Sequence, residues 1–522
     1  MNTFSKVLLA ATLTTAASSC KSFLDVNTNP NSATAVTPAQ LLANAETVTA
    51  ANYTSYNAYG SFAAGYWGKS NAVSGYNEER TYNYSSTYYQ GLWSNTFDNI
   101  EDYRLIRTNA MASSYPNHVA IARIMEAYNF LLLVDEYGDI PYTTAVQGLG
   151  NTQPTFDKQQ DIYKDLVVQL KGAVTDINAA TSAAMPSTED VIFRGNMNKW
   201  KAFANSLRLR ILLRESSTND ATLNAYVKTE MALLNSPDGG FITTDVLVQP
   251  GYAANSGQQN PFYNTYGFAV GTTNTTSTYK FTLPTKYFIN LNQNLSDPRV
   301  TQQYMANKSG AYVGTNLGEK SPPSPVLSAT SGSTLLVGGD FLRGANQPTP
   351  LMLLAEHLFS KSEAEYRGLL SGDAQADYTD GIRASFQTTY RTSTTSSSAA
   401  PVAPTPQSEA YLAANVGNGL VDWAATTTPQ TDAYGNITSG TRTVSTLEKI
   451  ITQKWIAEAV WGSIEAWDDF RRTGFPIIPI SLEASSGKFP SRLFYPQSEL
   501  NTNAANVPTG VTQYTKIFWA QQ

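Results

Sequence analysis

Apolar residues recur every three or four positions along much of this chain, which is the spacing of one face of an α-helix. The pattern is clearest near the C-terminus. There Ser445 and Glu448 are spaced as a capping box, Gly462 divides the pattern, and Gly474 and Pro476 follow its last apolar position. Two consecutive helices are predicted, with buried positions at Leu447, Ile450, Ile451, Trp455, Ile464, Trp467 and Phe470.

Further segments carry the same helical spacing. One begins at Thr37, Pro38 and Gln40, which form an N-cap, a first-turn proline and a capping-box partner. The others are residues 116–134, 160–179, 197–214, 221–235, 350–370 and 374–390. The last two have the length and small-residue placement of a tetratricopeptide-like helix hairpin.

These patterns predict a mostly α fold, a tetratricopeptide-like helix-hairpin scaffold with few short strands and long irregular loops. We expect a single domain over residues 37–522, with loop-rich insertions near 237–347 and 391–445, where helical periodicity fades.

The N-terminus has the features of a secretory signal. In residues 1–19, Lys6 precedes a short apolar run that is too short to cross a bilayer. Ala17-Ser18-Ser19-Cys20 resembles a bacterial lipobox, although Ala17 stands where leucine is usual. We therefore predict that Cys20 becomes the lipid anchor, for example through palmitate, and that residues 20–36 form a lipidated N-terminal segment.

Composition excludes several classes of function. The 522 residues contain 35 basic and 41 acidic side chains, a net charge of −6, which argues against nucleic-acid binding. A single cysteine excludes a disulfide framework and a thiolate metal cluster, and two histidines leave little room for imidazole chemistry. No metal site and no cofactor are predicted.

Aromatic residues are concentrated between Tyr53 and Trp93, together with amide and charged side chains. An aromatic ring can stack on the apolar face of a sugar while polar neighbours bind its hydroxyl groups. The candidate ligand-binding residues are Trp67, Tyr76, Asn77, Arg80 and Tyr82. The helical spacing of the tyrosines at 53, 56 and 59, and the pair at 88 and 89, favour core packing. For Trp67, Tyr76 and Tyr82 both exposure and burial stay open.

Two pairs of carboxylates are candidates for catalytic acids. They are Asp135 with Asp139, and Glu465 with Asp468. Both groups lie at helix-linked motifs that have a packing explanation. The segment 197–214 contains several arginines, which a phosphate-binding site would also use. It lacks the glycine-rich loop of such a site, so we expect these arginines to pair with acids of neighbouring helices. No catalytic residue is predicted.

Several segments together resemble the SusD/RagB-like family of outer-membrane lipoproteins. The signature is QKWIA at 453–457 followed by EAWDDFRRTGFP at 465–476. Similar segments are FLDVNTNPN at 23–31, YGDIPY at 137–142, WKAFANSLRLRILLR at 200–214 and KFPSRLFYPQSELNTNAANV at 488–507.

The resemblance implies a non-enzymatic, lipid-anchored protein exposed on the outer membrane. It would capture oligosaccharides and deliver them, as the lid subunit, to a SusC-like TonB-dependent transporter. A peptide-binding or other solute-binding member of the same family is an alternative, and a surface glycoside hydrolase is a weaker one.

Overall fold

Helices dominate the secondary structure of the protein, which we describe from a computed structural model. The structure describes residues 36–69, 77–180, 184–319, 332–391 and 402–522. The signal segment, Cys20 and Tyr76 lie outside these ranges, and so does most of the lipidated segment.

The α-helices are α1 (Pro38–Ala63), α2 (Asn77–Thr81), α3 (Gly91–Thr108), α4 (Pro116–Tyr137), α5 (Gln159–Ala179), α6 (Met197–Glu215), α7 (Ala221–Ala232), α8 (Pro261–Tyr266), α9 (Ser277–Phe281), α10 (Lys286–Asn294), α11 (Val300–Gln303), α12 (Leu354–Tyr366), α13 (Ala374–Thr389), α14 (Pro406–Ala414), α15 (Thr446–Ala457), α16 (Ser463–Thr473) and α17 (Gln497–Thr502). Short 3₁₀ turns occupy Ala112–Ser114, Gly148–Gly150 and Leu233–Asn235.

The strands form five antiparallel pairs within the described ranges. They are β1 (Trp67–Lys69) with β5 (Thr282–Pro284), β2 (Ile140–Pro141) with β3 (Phe156–Asp157), β4 (Val246–Val248) with β8 (Thr349–Met352), β6 (Tyr304–Met305) with β7 (Thr334–Leu335), and β9 (Thr427–Thr431) with β10 (Ile437–Thr443). The mostly α prediction with few short strands is confirmed.

Consecutive helices pack against each other as hairpins. Helix α3 packs on α4, α4 on α5 and α5 on α6, while α12 and α13 form a separate hairpin. The chain then returns, so that α15 packs against α12 and α16 packs against α1. Trp455 and Trp467 of these returning helices are at most 1% exposed, as are Tyr53 and Tyr56 of α1. The core therefore joins the two ends of the described chain.

Both predicted helix starts are confirmed, but one of the two predicted capping boxes is incomplete. At Thr37 the side chain and Gln40 form a reciprocal capping box. At Ser445 the side-chain oxygen accepts a hydrogen bond from the Glu448 amide at 3.1 Å. The Glu448 carboxylate instead forms an ion pair with Arg442 at 2.7 Å, so only half of that box exists.

The predicted helix 350–370 begins later than expected. Residues Thr349–Met352 form β8, which pairs with β4, and α12 starts at Leu354. Apolar residues in so short a stretch fit a buried strand as well as a helix, and pairing with β4 decides between them. None of the helices in the described ranges combines the length and apolar composition that a bilayer crossing requires.

Candidate functional site

The aromatic segment from Tyr53 to Trp93 is divided between the core and the surface. Tyr53, Tyr56 and Tyr59 lie on the buried face of α1 and are at most 1% exposed. Tyr88 and Tyr89 are half-buried and pack against Tyr59. The expectation that these five tyrosines pack in the core is confirmed.

Trp67 lies in the core, where it cannot stack on a ligand. Its side chain is 0% exposed, and its indole N–H donates to the Tyr304 hydroxyl at 3.2 Å. Pairing of β1 with β5 holds the ring between Phe62 and Tyr266. The structure decides for burial, and the candidate ligand-binding role of Trp67 is therefore wrong.

Tyr82 is also buried, with 3% exposure. Its hydroxyl accepts a hydrogen bond from the Ser481 amide at 3.2 Å, and its carbonyl accepts one from Gln513 at 3.2 Å. The ring packs 5.9 Å from Phe489. Tyr82 therefore fixes the C-terminal segment in place and presents no free face, so its predicted stacking role is wrong too.

The two polar candidates lie at the surface, on the short helix α2. Asn77 is exposed, and the side chain of Arg80 is 34% exposed and lies 3.5 Å from Glu483. Ser481 donates to the Arg80 carbonyl and so fixes the end of this helix. Asn77 and Arg80 are thus available to a ligand, and their role stays a prediction.

Three chain segments meet around α2, and we call their combined surface the loop face. It comprises residues 77–81, 316–319 and 479–483. The Leu482 amide donates to the Leu317 carbonyl at 3.0 Å, which joins the second and third segments. Half-buried Asn316, exposed Leu482 and half-buried Glu483 add amide, apolar and carboxylate groups to this surface. Sequence reasoning missed these three residues because they are more than 200 positions from α2.

A buried ion pair supports the base of the loop face. Lys69 of β1 lies 3.8 Å from Glu79 of α2, and its ammonium lies 4.5 Å from the centre of the Phe62 ring. Burial lowers the pKa of Lys69 to about 8 although Glu79 opposes the shift. Burial also raises the pKa of Glu79. This pair ties α2 to the strand that holds Trp67.

Three of the four carboxylates considered as catalytic candidates belong to a buried charge network. Arg214 pairs with Asp135, Glu465 and Asp468, each of which is at most 3% exposed. Burial raises the pKa of Asp135 even with Arg214 beside it. Asp139 instead accepts from Lys158 at 2.8 Å. The predicted structural role of these acids is confirmed.

Neighbouring arginines extend the network across four helices. Arg210 pairs with Glu356 at 2.6 Å and with Glu465 at 3.0 Å. Arg471 pairs with Glu136 at 2.5 Å, and Arg472 pairs with Glu363 at 2.5 Å. Phe470, Arg471 and Arg472 of the family signature are therefore part of the core.

Comparison with known proteins shows which family and which solved structures this chain is similar to. A SusD-like family model, described as starch-binding and associating with the outer membrane, matches residues 30–496. A comparison with curated proteins found no similar sequence. Among solved structures, a SusD homologue from Parabacteroides distasonis is 20% identical with a TM-score of 0.72, and the match covers 93% of this chain and 98% of that one.

Two other solved structures bear names that state a ligand. A chitin-binding SusD homologue from Flavobacterium johnsoniae is 21% identical with a TM-score of 0.67, covering 91% of this chain and 98% of its own. A protein described as chitin-binding is 23% identical with a TM-score of 0.70, covering 93% of this chain and 100% of its own. These structures share the fold, and the family model spans most of the sequence, so the chain belongs to the SusD-like family of starch-binding proteins that associate with the outer membrane.

Proposed function

We propose that this protein captures oligosaccharides at the cell surface and delivers them to a SusC-like TonB-dependent transporter, which it covers as a lid. The observation that carries the proposal is the match to a starch-binding, outer-membrane family over residues 30–496. The two similar structures described as chitin-binding support a glycan ligand. In this proposal residues 1–19 direct secretion, and acylated Cys20 anchors the protein to the outer membrane.

The buried charge network supports binding of the oligosaccharide without its hydrolysis. A glycosidase requires two carboxylates that face the scissile bond, about 5–9.5 Å apart. The carboxylates of Asp135, Glu465 and Asp468 are buried and all face Arg214. Groups held in this way are not available to a polysaccharide chain.

The loop face is the proposed capture surface. Asn77 offers both a donor and an acceptor, and Arg80 offers guanidinium donors, so together they can bind a rim of hydroxyl groups. Exposed Leu482 supplies apolar contact on the adjoining segment. This chemistry accepts a neutral sugar chain without requiring a deep cavity.

The test is calorimetric titration of protein lacking residues 1–20 with maltoheptaose, chitohexaose and a set of peptides. We expect an oligosaccharide to bind. The double variant Asn77→Ala, Arg80→Ala should weaken that binding by about thirtyfold, since each of the two lost hydrogen bonds contributes about 1 kcal/mol.

Asn224→Ala with Arg383→Ala is the matched control, because these side chains lie outside the loop face. Unchanged affinity in the loop-face variant would move the capture surface elsewhere. Binding of peptides alone would replace the oligosaccharide with a peptide ligand, and shortened glycan products after incubation would revive the hydrolase alternative.

A further inference from the structure

A second concave site lies on the helix-hairpin side of the molecule. A cavity of about 500 Å³ opens between α3, α4, α5 and the turn after β2. This volume is within the range of about 300–1,000 Å³ that small-molecule sites occupy. It shares no residue with the loop face.

One wall of this cavity holds more positive than negative charge. Arg104 Nε donates to Glu126 Oε1 at 2.8 Å, and Arg107 donates to the other oxygen of the same carboxylate. Glu126 is 3% exposed, whereas the arginine side chains are 29% and 28% exposed. Two guanidinium groups therefore share one buried carboxylate and line the cavity.

A third guanidinium, from Arg123 of α4, also lines the cavity. Arg123 Nε donates to Gln169 Oε1 at 2.8 Å, and its Nη1 donates to Asp176 at 2.9 Å. The group lies directly against Gly172, where an added Cβ atom would come within 2.3 Å of it. The absence of a side chain at Gly172 therefore sets the position of Arg123.

The remaining wall carries an aromatic ring and hydroxyl-binding groups. Tyr142 is half-buried and packs edge-on against Phe130, with ring centres 4.7 Å apart. Its hydroxyl donates to Asp165, which also accepts from Gln169 Nε2 at 3.0 Å. Asp165 therefore lies beside the ring as a hydrogen-bond acceptor.

We propose that this cavity binds an acidic saccharide, such as a uronic acid residue, with its carboxylate held by Arg107 and Arg123. Guanidinium groups bind carboxylates through paired N–H donors. The Tyr142 ring receives the apolar face of the sugar, and Asp165 accepts from its hydroxyl groups. An aromatic ring and a hydroxyl acceptor beside the cations favour a sugar acid over an acidic peptide, because only the sugar offers both a carboxylate and a set of ring hydroxyl groups.

Calorimetric titration of the full chain in detergent with trigalacturonate tests this site, with maltotriose as the neutral probe of equal length. We expect trigalacturonate to bind more tightly than maltotriose, and its affinity to fall as salt is raised. Arg107→Gln should weaken trigalacturonate binding by about tenfold or more, because a charge-assisted bond is lost. Arg104 still holds Glu126 in that variant.

Gly172→Ala is the second variant, because it displaces the Arg123 guanidinium without removing any charge. It should also weaken trigalacturonate binding, while Arg383→Gln, a similarly exposed and ion-paired arginine outside the cavity, should not. Binding of maltoheptaose or chitohexaose at the loop face should be unaffected in all three, which separates this inference from the proposed function. Equal affinity for both trisaccharides, tighter binding of triglutamate, or wild-type affinity in both cavity variants would overturn it.

Discussion

At the residue scale, Glu215 is an acidic side chain that lies buried in the core. Its side chain is 0% exposed, and neither carboxylate oxygen has a hydrogen-bond partner within the described ranges. Burial raises the pKa of Glu215 to about 8, although Lys164 opposes the shift. The folded protein therefore holds this group in its neutral form at pH 7.

This protonation predicts a pH-dependent gain in stability for Glu215→Gln. The pKa of Glu215 is about 8 in the folded protein and about 4.3 in the unfolded chain. Between these two pH values the folded protein holds a proton that the unfolded chain has released. Below about pH 4 the group is protonated in both states, and the folded protein has its full stability. That stability is lost progressively as the pH rises from about 4 towards 8. The variant should therefore approach wild type in stability at pH 4.5 and exceed it at pH 9, by on the order of 5 kcal/mol.

Urea unfolding of both proteins at pH 4.5, 7 and 9 measures the difference. Glu409→Gln is the control with the opposite sign. A hydrogen bond from Arg383 lowers the pKa of Glu409, so that removing its charge should cost a little stability at pH 7 and none at low pH. A stability gain for Glu215→Gln that does not change with pH would contradict the assignment.

Individual site residues were the least predictable part of the molecule. Trp67 is chemically suited to stacking, but its hydrogen-bond partner Tyr304 is 237 residues away, and local composition gives no sign of that contact. The cavity formed by the arginines was equally hard to predict, because Arg104 and Arg107 come close to Arg123 only when α3 packs on α4. Their spacing of three on one helix was the available signal.

At the element scale, prediction succeeded where a helix carries its own start and stop signals. Predicted bounds of 160–179 and 197–214 compare with Gln159–Ala179 and Met197–Glu215. The secondary structure of the two insertions was harder to predict. Residues 237–347 contain α8 to α11 and several strands, and residues 391–445 contain α14 and the β9–β10 hairpin. Short elements of this kind depend on distant partners, as β4 depends on β8.

The crossing of α1 and α16 depends on the absence of a side chain at Gly60. A Cβ atom there would lie 2.5 Å from the Ile464 amide nitrogen and 2.6 Å from the Ser463 carbonyl carbon. Both are backbone atoms that cannot rotate away. Gly60→Ala should therefore force the helices apart and destabilise the protein by about 1–3 kcal/mol.

Gly91→Ala is the matched substitution, because its Cβ would meet only the Asn95 side chain, at 3.6 Å. Alanine suits a helix better than glycine, so this variant should gain about 0.4–1 kcal/mol. Thermal unfolding of the two variants beside wild type provides the measurement. If Gly60→Ala were as stable as Gly91→Ala, the close approach of α1 and α16 would be wrong.

At the scale of the whole molecule, contacts between the two ends of the described chain make one cooperative unit the expected behaviour. The Asn57 side chain donates to the Trp461 carbonyl at 3.0 Å, across 404 positions of sequence. Arg214 of α6 joins Asp135 of α4 to Glu465 and Asp468 of α16. The boundaries of the single domain, 37–522, stay a prediction that unfolding experiments can test.

Removing Arg214 should destabilise this whole unit. Arg214→Met leaves three buried carboxylates without their shared cation, and breaking a buried pair in this way costs about 3–5 kcal/mol. Lys158→Met removes an ion pair whose lysine is 76% exposed, and should cost less than about 1 kcal/mol. If the chain is one domain, calorimetry should show a single transition that Arg214→Met moves as a whole to lower temperature. Two transitions, of which only one moves, would instead mean that the returning helices α15 and α16 stabilise only part of the scaffold.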